Sequence, residues 1–158
     1  MYPSKSKFPS TARFVGCLFL LQVLATAAGL GVLLLFVDWF GDGTEFYAYG
    51  WAMLPLWLLW GILMPRRARP EGKWSTLLPT LWTGLTALLA LLLPDYRMLL
   101  AMPQMAAGSA LARLWPGSHH SALFIWTVEP IAQGIAHLLL PALLWAGLWL
   151  RGKEGTEW

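Results

Sequence analysis

The sequence predicts an all-α integral membrane protein, on three observations. Hydrophobic residues make up 58% of the 158 and charged residues 12%, where a soluble domain carries about 25% charged. Four apolar runs of 19 to 24 residues lie along the chain, and about 20 apolar residues cross a bilayer core. Cations gather at the ends of those runs rather than within them, the distribution that orients a chain in a membrane. The expected architecture is a single polytopic domain over residues 1–158. It has four transmembrane helices plus a short outer-side re-entrant or interfacial helical segment; five spans are the alternative.

The first span is expected over 14–37, a run without a charge. Its small residues Ala25, Ala27, Ala28, Gly29 and Gly31 suit close approach of a second helix, because van der Waals packing drives association in lipid. Asp38 to Glu45 reads as a polar turn rich in acid and glycine. The second span is expected over 46–64, with Pro55 at its centre; proline removes a backbone donor and kinks a helix. The stretch MPRRARPEGKW from Met64 to Trp74 is the clearest cytoplasmic loop. The third span is expected over 75–93, with Pro79 early in it and Pro94 and Asp95 ending it.

Residues 98–115 are ambiguous between a fifth span, a re-entrant hairpin and an interfacial helix. They contain Pro103 and Gln104, with Arg113 near the end. Non-helical backbone at membrane depth survives only where protein or water covers it. The last span is expected over 130–150. Proline is favoured at the first helical position, so Pro130 can open that helix; one continuous helix from Ser121 to Leu150 is the competing geometry.

Orientation follows from counting cations. With four spans, Lys5, Lys7, Arg13, Arg66, Arg67, Arg69, Lys73, Arg151 and Lys153 share one side, leaving Arg97 and Arg113 on the other. With five spans the division is eight against three. Four spans fit slightly better and place both termini in the cytoplasm of a bacterial inner membrane. Several of the eleven tryptophans, Trp39, Trp74, Trp115 and Trp149, flank the apolar runs, as interfacial anchors do.

The chemistry-bearing candidates lie in the last third. Glu129, Gln133 and His137 recur at steps of four, which keeps them on one helix face. A charge at the bilayer centre costs roughly 2.5–3.5 kcal/mol, so the row should face protein or water. A polar pocket on the outer side is therefore expected from Glu129, Gln133, His137 and Arg113. His119 and His120 follow a turn, and Met98, Met102 and Met105 repeat at helical spacing. Thioethers with imidazoles suit copper(I), but a methionine stripe is more often packing. No resident metal or cofactor is expected; copper and quinone are the alternatives considered.

The single Cys17 excludes an intrachain disulfide and dithiol chemistry within one chain. No zinc-protease, phosphate-loop or nucleophile-elbow motif is present, and there is no basic, aromatic-interleaved stretch for nucleic acid. The expected role is an accessory subunit or partner of a larger membrane assembly, or a homo-oligomer, contacting lipid and protein rather than acting as an enzyme. The competing expectations are a proton- or ion-coupled transporter using Glu129 and His137, and a membrane enzyme or quinone- or lipid-binding protein.

Overall fold

The computed structural model of the chain describes residues 8–40, 44–64, 74–116, 121–122 and 124–153. Nearly all of those residues are helical, with no strand among them. Five α-helices follow in order: α1 Phe8–Phe40, α2 Thr44–Leu63, α3 Trp74–Leu92, α4 Arg97–Ala112 and α5 Glu129–Lys153. A 3-10 turn, Pro94–Tyr96, leads into α4, and a π-helical turn, Phe124–Val128, leads into α5. The basic loop 65–73 and the His119–His120 pair lie outside the described residues.

Burial follows the helical repeat. On α1 the buried positions are Phe14, Leu18, Leu21 and Ala25; on α2 they are Tyr49, Met53 and Trp57; on α5 they are Ala132, Ala136, Leu140, Leu144 and Leu148. Steps of three and four put each set on one stripe. The opposite faces are also apolar. Phe19, Leu20 and Leu24 on α1, Leu81 and Leu88 on α3, and Ile135 and Leu138 on α5 are all exposed. Helices that are hydrophobic all round belong in a membrane or a large core. Among the described residues, three helical stretches are long and apolar enough to cross a membrane: Thr11–Leu35, Phe46–Leu63 and Phe124–Arg151. Leu77–Leu92, within α3, is a shorter apolar helix.

Two contacts set how these helices sit. Gly61 of α2 meets Gly147 of α5, and a Cβ on either would run into backbone of the other helix. Small residues at such a crossing let two backbones pack directly. One turn further on, the Arg151 guanidinium donates to the Ile62 carbonyl at 2.6 Å. That carbonyl belongs to the last turn of α2, where helical partners run out. The C-terminal ends of α2 and α5 therefore lie together.

Helix α4 is the most enclosed element. Ten of its 16 residues are buried, among them Met102, Pro103, Gln104 and Ala106. It packs against α1, α2, α3 and α5. At 1.5 Å per residue it is about 24 Å long, short of a bilayer core of about 30 Å. An interfacial helix would keep one face in water. This one instead presents small residues, Ala106, Ala107, Gly108 and Ala110, to its neighbours.

The entry to α5 combines features of both geometries read from the sequence. The helix starts at Glu129, directly before Pro130, but helical backbone already runs through the π turn ahead of it. Pro130 has no N–H for the carbonyl four residues back, and a π turn, with its wider hydrogen-bond spacing, accommodates that loss. Ser121 anchors the start: its side chain accepts the Phe124 N–H at 3.2 Å, and its carbonyl accepts the Ile125 N–H at 3.1 Å.

Candidate functional site

The site is built around a break in α4. Ala101 has φ −127° and ψ 17°, outside helical geometry. Pro103 follows two residues later and cannot donate to the Leu99 carbonyl. An open carbonyl inside an apolar bundle costs about 1–3 kcal/mol, and α1 supplies the missing donors. The Thr26 hydroxyl donates to the Leu99 carbonyl at 3.3 Å, and Gln22 Nε2 donates to the Leu100 carbonyl at 2.9 Å.

Gln22 also pairs with Gln104, 82 residues away. Gln104 Nε2 donates to Gln22 Oε1 at 3.0 Å, and Gln22 Nε2 approaches Gln104 Oε1 at 3.3 Å. Both side chains are buried, Gln104 completely. Tyr49 adds a further tie from α2, donating to the Ala25 carbonyl at 2.6 Å. The polar groups of α1 and the broken helix thus answer one another.

Beside this knot, a groove of about 420 Å³ opens between α1 and α3. Helix α1 contributes Phe19, Val23, Ala27 and Leu30, α3 contributes Trp82, Leu85 and Leu89, and α4 contributes Leu99 and Leu100. Phe19 and Trp82 meet edge to face, with ring centroids 6.2 Å apart. Three polar side chains also line it: Gln22, Thr26 and Thr86. Each is engaged elsewhere, Thr86 with the Thr83 carbonyl at 2.9 Å and the other two as above. The groove therefore offers an occupant an apolar wall.

The residues expected to form an outer polar pocket are distributed as follows. Glu129 accepts from the Ser109 hydroxyl of α4 at 3.3 Å. Gln133 lies against Gly108, where a Cβ would strike its backbone. His137 turns back along its own helix, its Nδ1 2.8 Å from the Gln133 carbonyl, so that nitrogen carries the proton. Its Nε2 is buried without a partner among the described residues. The backbone carbonyl of His137 lies 3.1 Å from the Thr83 hydroxyl of α3. Arg113 stacks its guanidinium 3.9 Å above the Tyr47 ring, a cation–π contact. No ion pair joins Arg113 to Glu129 among the described residues. None of the four lines the groove.

The break in α4 also falls inside the methionine row. Met98 precedes it and is exposed, while Met102 follows it and is fully buried; Met105 is partly buried. The three do not share one unbroken helix face. No group of three or more His, Cys, Asp or Glu is placed to hold a metal among the described residues.

Pro103 and Gln104 stand out in the sequence, but nothing local joins them to Gln22 and Thr26 of the first span. The available signal was chemical: a glutamine in each of two apolar segments, one of them next to a proline. The Ser109–Glu129 bond had no such signal. Comparison of the chain with protein-family models, curated proteins and solved structures gives no match. What fold and site define, among the described residues, is a helical protein with three helices long and apolar enough to span a membrane.

Proposed function

We propose that the chain is a small accessory protein of a bacterial inner membrane that holds the apolar chain of a bilayer molecule in the groove between α1 and α3. In this reading α1, α2, α3 and α5 are four spans, both termini are cytoplasmic, and α4 is held inside the bundle toward the outer side. The Arg151–Ile62 contact supports that parity. Five crossings would carry the end of α5 to the face opposite the end of α2, whereas the two ends are neighbours. In this reading Arg151 and Lys153 share a side with the basic residues that follow α2 in the sequence, as the positive-inside rule asks.

The observation that carries the functional reading is the groove itself. Its Gln22, Thr26 and Thr86 side chains are all engaged and the Trp82 Nε1 is buried, so apolar contact dominates the selection of an occupant. Its 420 Å³ lies toward the lower end of small-ligand sites, about 300–1,000 Å³. A spanning helix, treated as a cylinder about 10 Å across and 30 Å long, occupies roughly 2,400 Å³. The space suits a single hydrocarbon chain better than a partner helix.

The test fills the groove. Ala27 lines it and is exposed, so Ala27→Trp adds bulk without disturbing the core. Native mass spectrometry of protein extracted in mild detergent should show a co-purifying apolar molecule on wild type and its loss from Ala27→Trp. Identical adducts on both proteins would refute the reading.

One observation favours a second reading, proton- or ion-coupled transport: the buried His137 Nε2 without a partner. A relay through Glu129 must span two helical turns, about 12 Å. Reconstituted protein should then show pH-dependent flux that Glu129→Gln or His137→Ala abolishes. Flux unchanged in both variants removes this reading.

A further inference from the structure

One helical turn from the groove wall lies a charge that has no partner among the described residues. Leu100 belongs to the groove wall, and Arg97 opens the same helix three residues earlier, a spacing that puts the two on one helix face. The 3-10 turn Pro94–Tyr96 leads directly into it, and residues 91–99 are all exposed. The Arg97 side chain makes no hydrogen bond or ion pair among the described residues. Asp95 sits two residues away on the turn, equally exposed, and does not pair with it. The protein's other outer-side arginine, Arg113, is engaged by the Tyr47 ring.

An apolar groove with an unpartnered arginine one helical turn from its wall matches one class of bilayer molecule, a hydrocarbon chain that ends in an anion. Guanidinium is a planar fork of donors that fits phosphate oxygens two at a time. Tyr96, 58% exposed beside Arg97, is a residue type that settles at the headgroup level of a bilayer. We propose that the groove binds one acyl chain of a glycerophospholipid from the outer leaflet, with the lipid phosphate held by Arg97. This rests on the groove reading above and adds the headgroup contact to it.

The experiment separates the two claims. Full-length protein in mild detergent is titrated with phosphatidylglycerol, and separately with diacylglycerol of the same acyl chains, and bound lipid is read by native mass spectrometry. Wild type should bind phosphatidylglycerol more tightly than diacylglycerol. Arg97→Gln should weaken phosphatidylglycerol about tenfold, the loss of one charge-assisted contact, and leave diacylglycerol unchanged. Arg97→Lys should fall between, and Arg113→Gln should bind both lipids as wild type does. Ala27→Trp should weaken both lipids.

If Ala27→Trp weakens both lipids but Arg97→Gln weakens neither, the headgroup contact is wrong and the groove reading stands. If Ala27→Trp changes neither lipid, the groove reading falls, and this proposal with it. Equal losses in Arg97→Gln and Arg113→Gln would mark unspecific attraction to cations and also overturn the proposal. Every variant here alters an exposed side chain, and a single symmetric gel-filtration peak checks that each remains folded.

Discussion

The sharpest test of the architecture is a double-mutant cycle on Gln22 and Gln104. These amides join α1 to α4 beside the break, and both are buried. Gln104→Leu removes two hydrogen bonds, those at 3.0 and 3.3 Å. Polar bonds between membrane helices are worth about 0.6 kcal/mol each on average, so the single variant should lose about 1.2 kcal/mol. Gln22→Leu removes the same two and the bond to the Leu100 carbonyl, for a loss of about 1.8 kcal/mol at the same value per bond. The double variant loses the amide pair once, so it should resemble Gln22→Leu. The coupling energy is then about 1.2 kcal/mol, well above the 0.3–0.5 kcal/mol within which independent sites add. Reversible unfolding in mixed micelles, followed by far-UV circular dichroism, measures all four proteins. Losses that add, or a Gln104→Leu protein as stable as wild type, would refute the proposition that these amides hold the broken helix.

Four further outcomes follow from the packing. Gly61→Leu should destabilise by at least about 1–3 kcal/mol, the usual cost of overpacking, because its Cβ meets the Leu144 carbonyl and the α5 backbone; a lowered midpoint in the same unfolding assay checks it. Thr26→Val should lose roughly 0.6 kcal/mol in the wild-type background and almost nothing beside Pro103→Ala, since alanine restores the N–H that the Leu99 carbonyl lacks. Arg151→Met should cost about 1 kcal/mol for the Ile62 bond. Cysteines placed at the exposed positions 63 and 150 of a Cys17→Ser protein should both react with an impermeant thiol reagent only after the cytoplasmic face is exposed; opposite accessibility would overturn the four-span parity.

The helices are readable from the sequence because each apolar run is bounded by charge, glycine or proline. The α2 run ends at Pro65 and Arg66, and the α3 run at Pro94 and Asp95. The position of α4 is not readable in the same way. Its residues are small and moderately apolar, and Pro103 permits a kinked span, a hairpin or a surface helix equally well. What decides is tertiary: Gly108 allows α5 to approach, and Gln104 finds Gln22. Neither contact leaves a local mark, because the amides are 82 residues apart. The Glu129, Gln133 and His137 row is regular in sequence, yet spacing does not say what each member meets. Glu129 takes Ser109, Gln133 takes the flank of Gly108, and His137 takes its own helix.

The break in α4 and the apolar character of the groove have one physical origin. A helix interrupted within an apolar bundle must have its open carbonyls answered. Here Thr26 and Gln22 supply the donors from α1, and doing so fixes the polar groups on the groove wall. What remains facing the opening is Phe19, Val23, Leu85 and Leu89, a surface that water wets poorly and hydrocarbon fills. A substitution that relieved the break would release those donors into the groove. Pro103→Ala should therefore leave the Thr26 hydroxyl free to face an occupant, raising retention of chains with a polar carbonyl over purely hydrocarbon ones. Co-purified molecules from the Pro103→Ala protein, compared with wild type by mass, would show that shift. An unchanged profile would mean that the knot and the groove act independently.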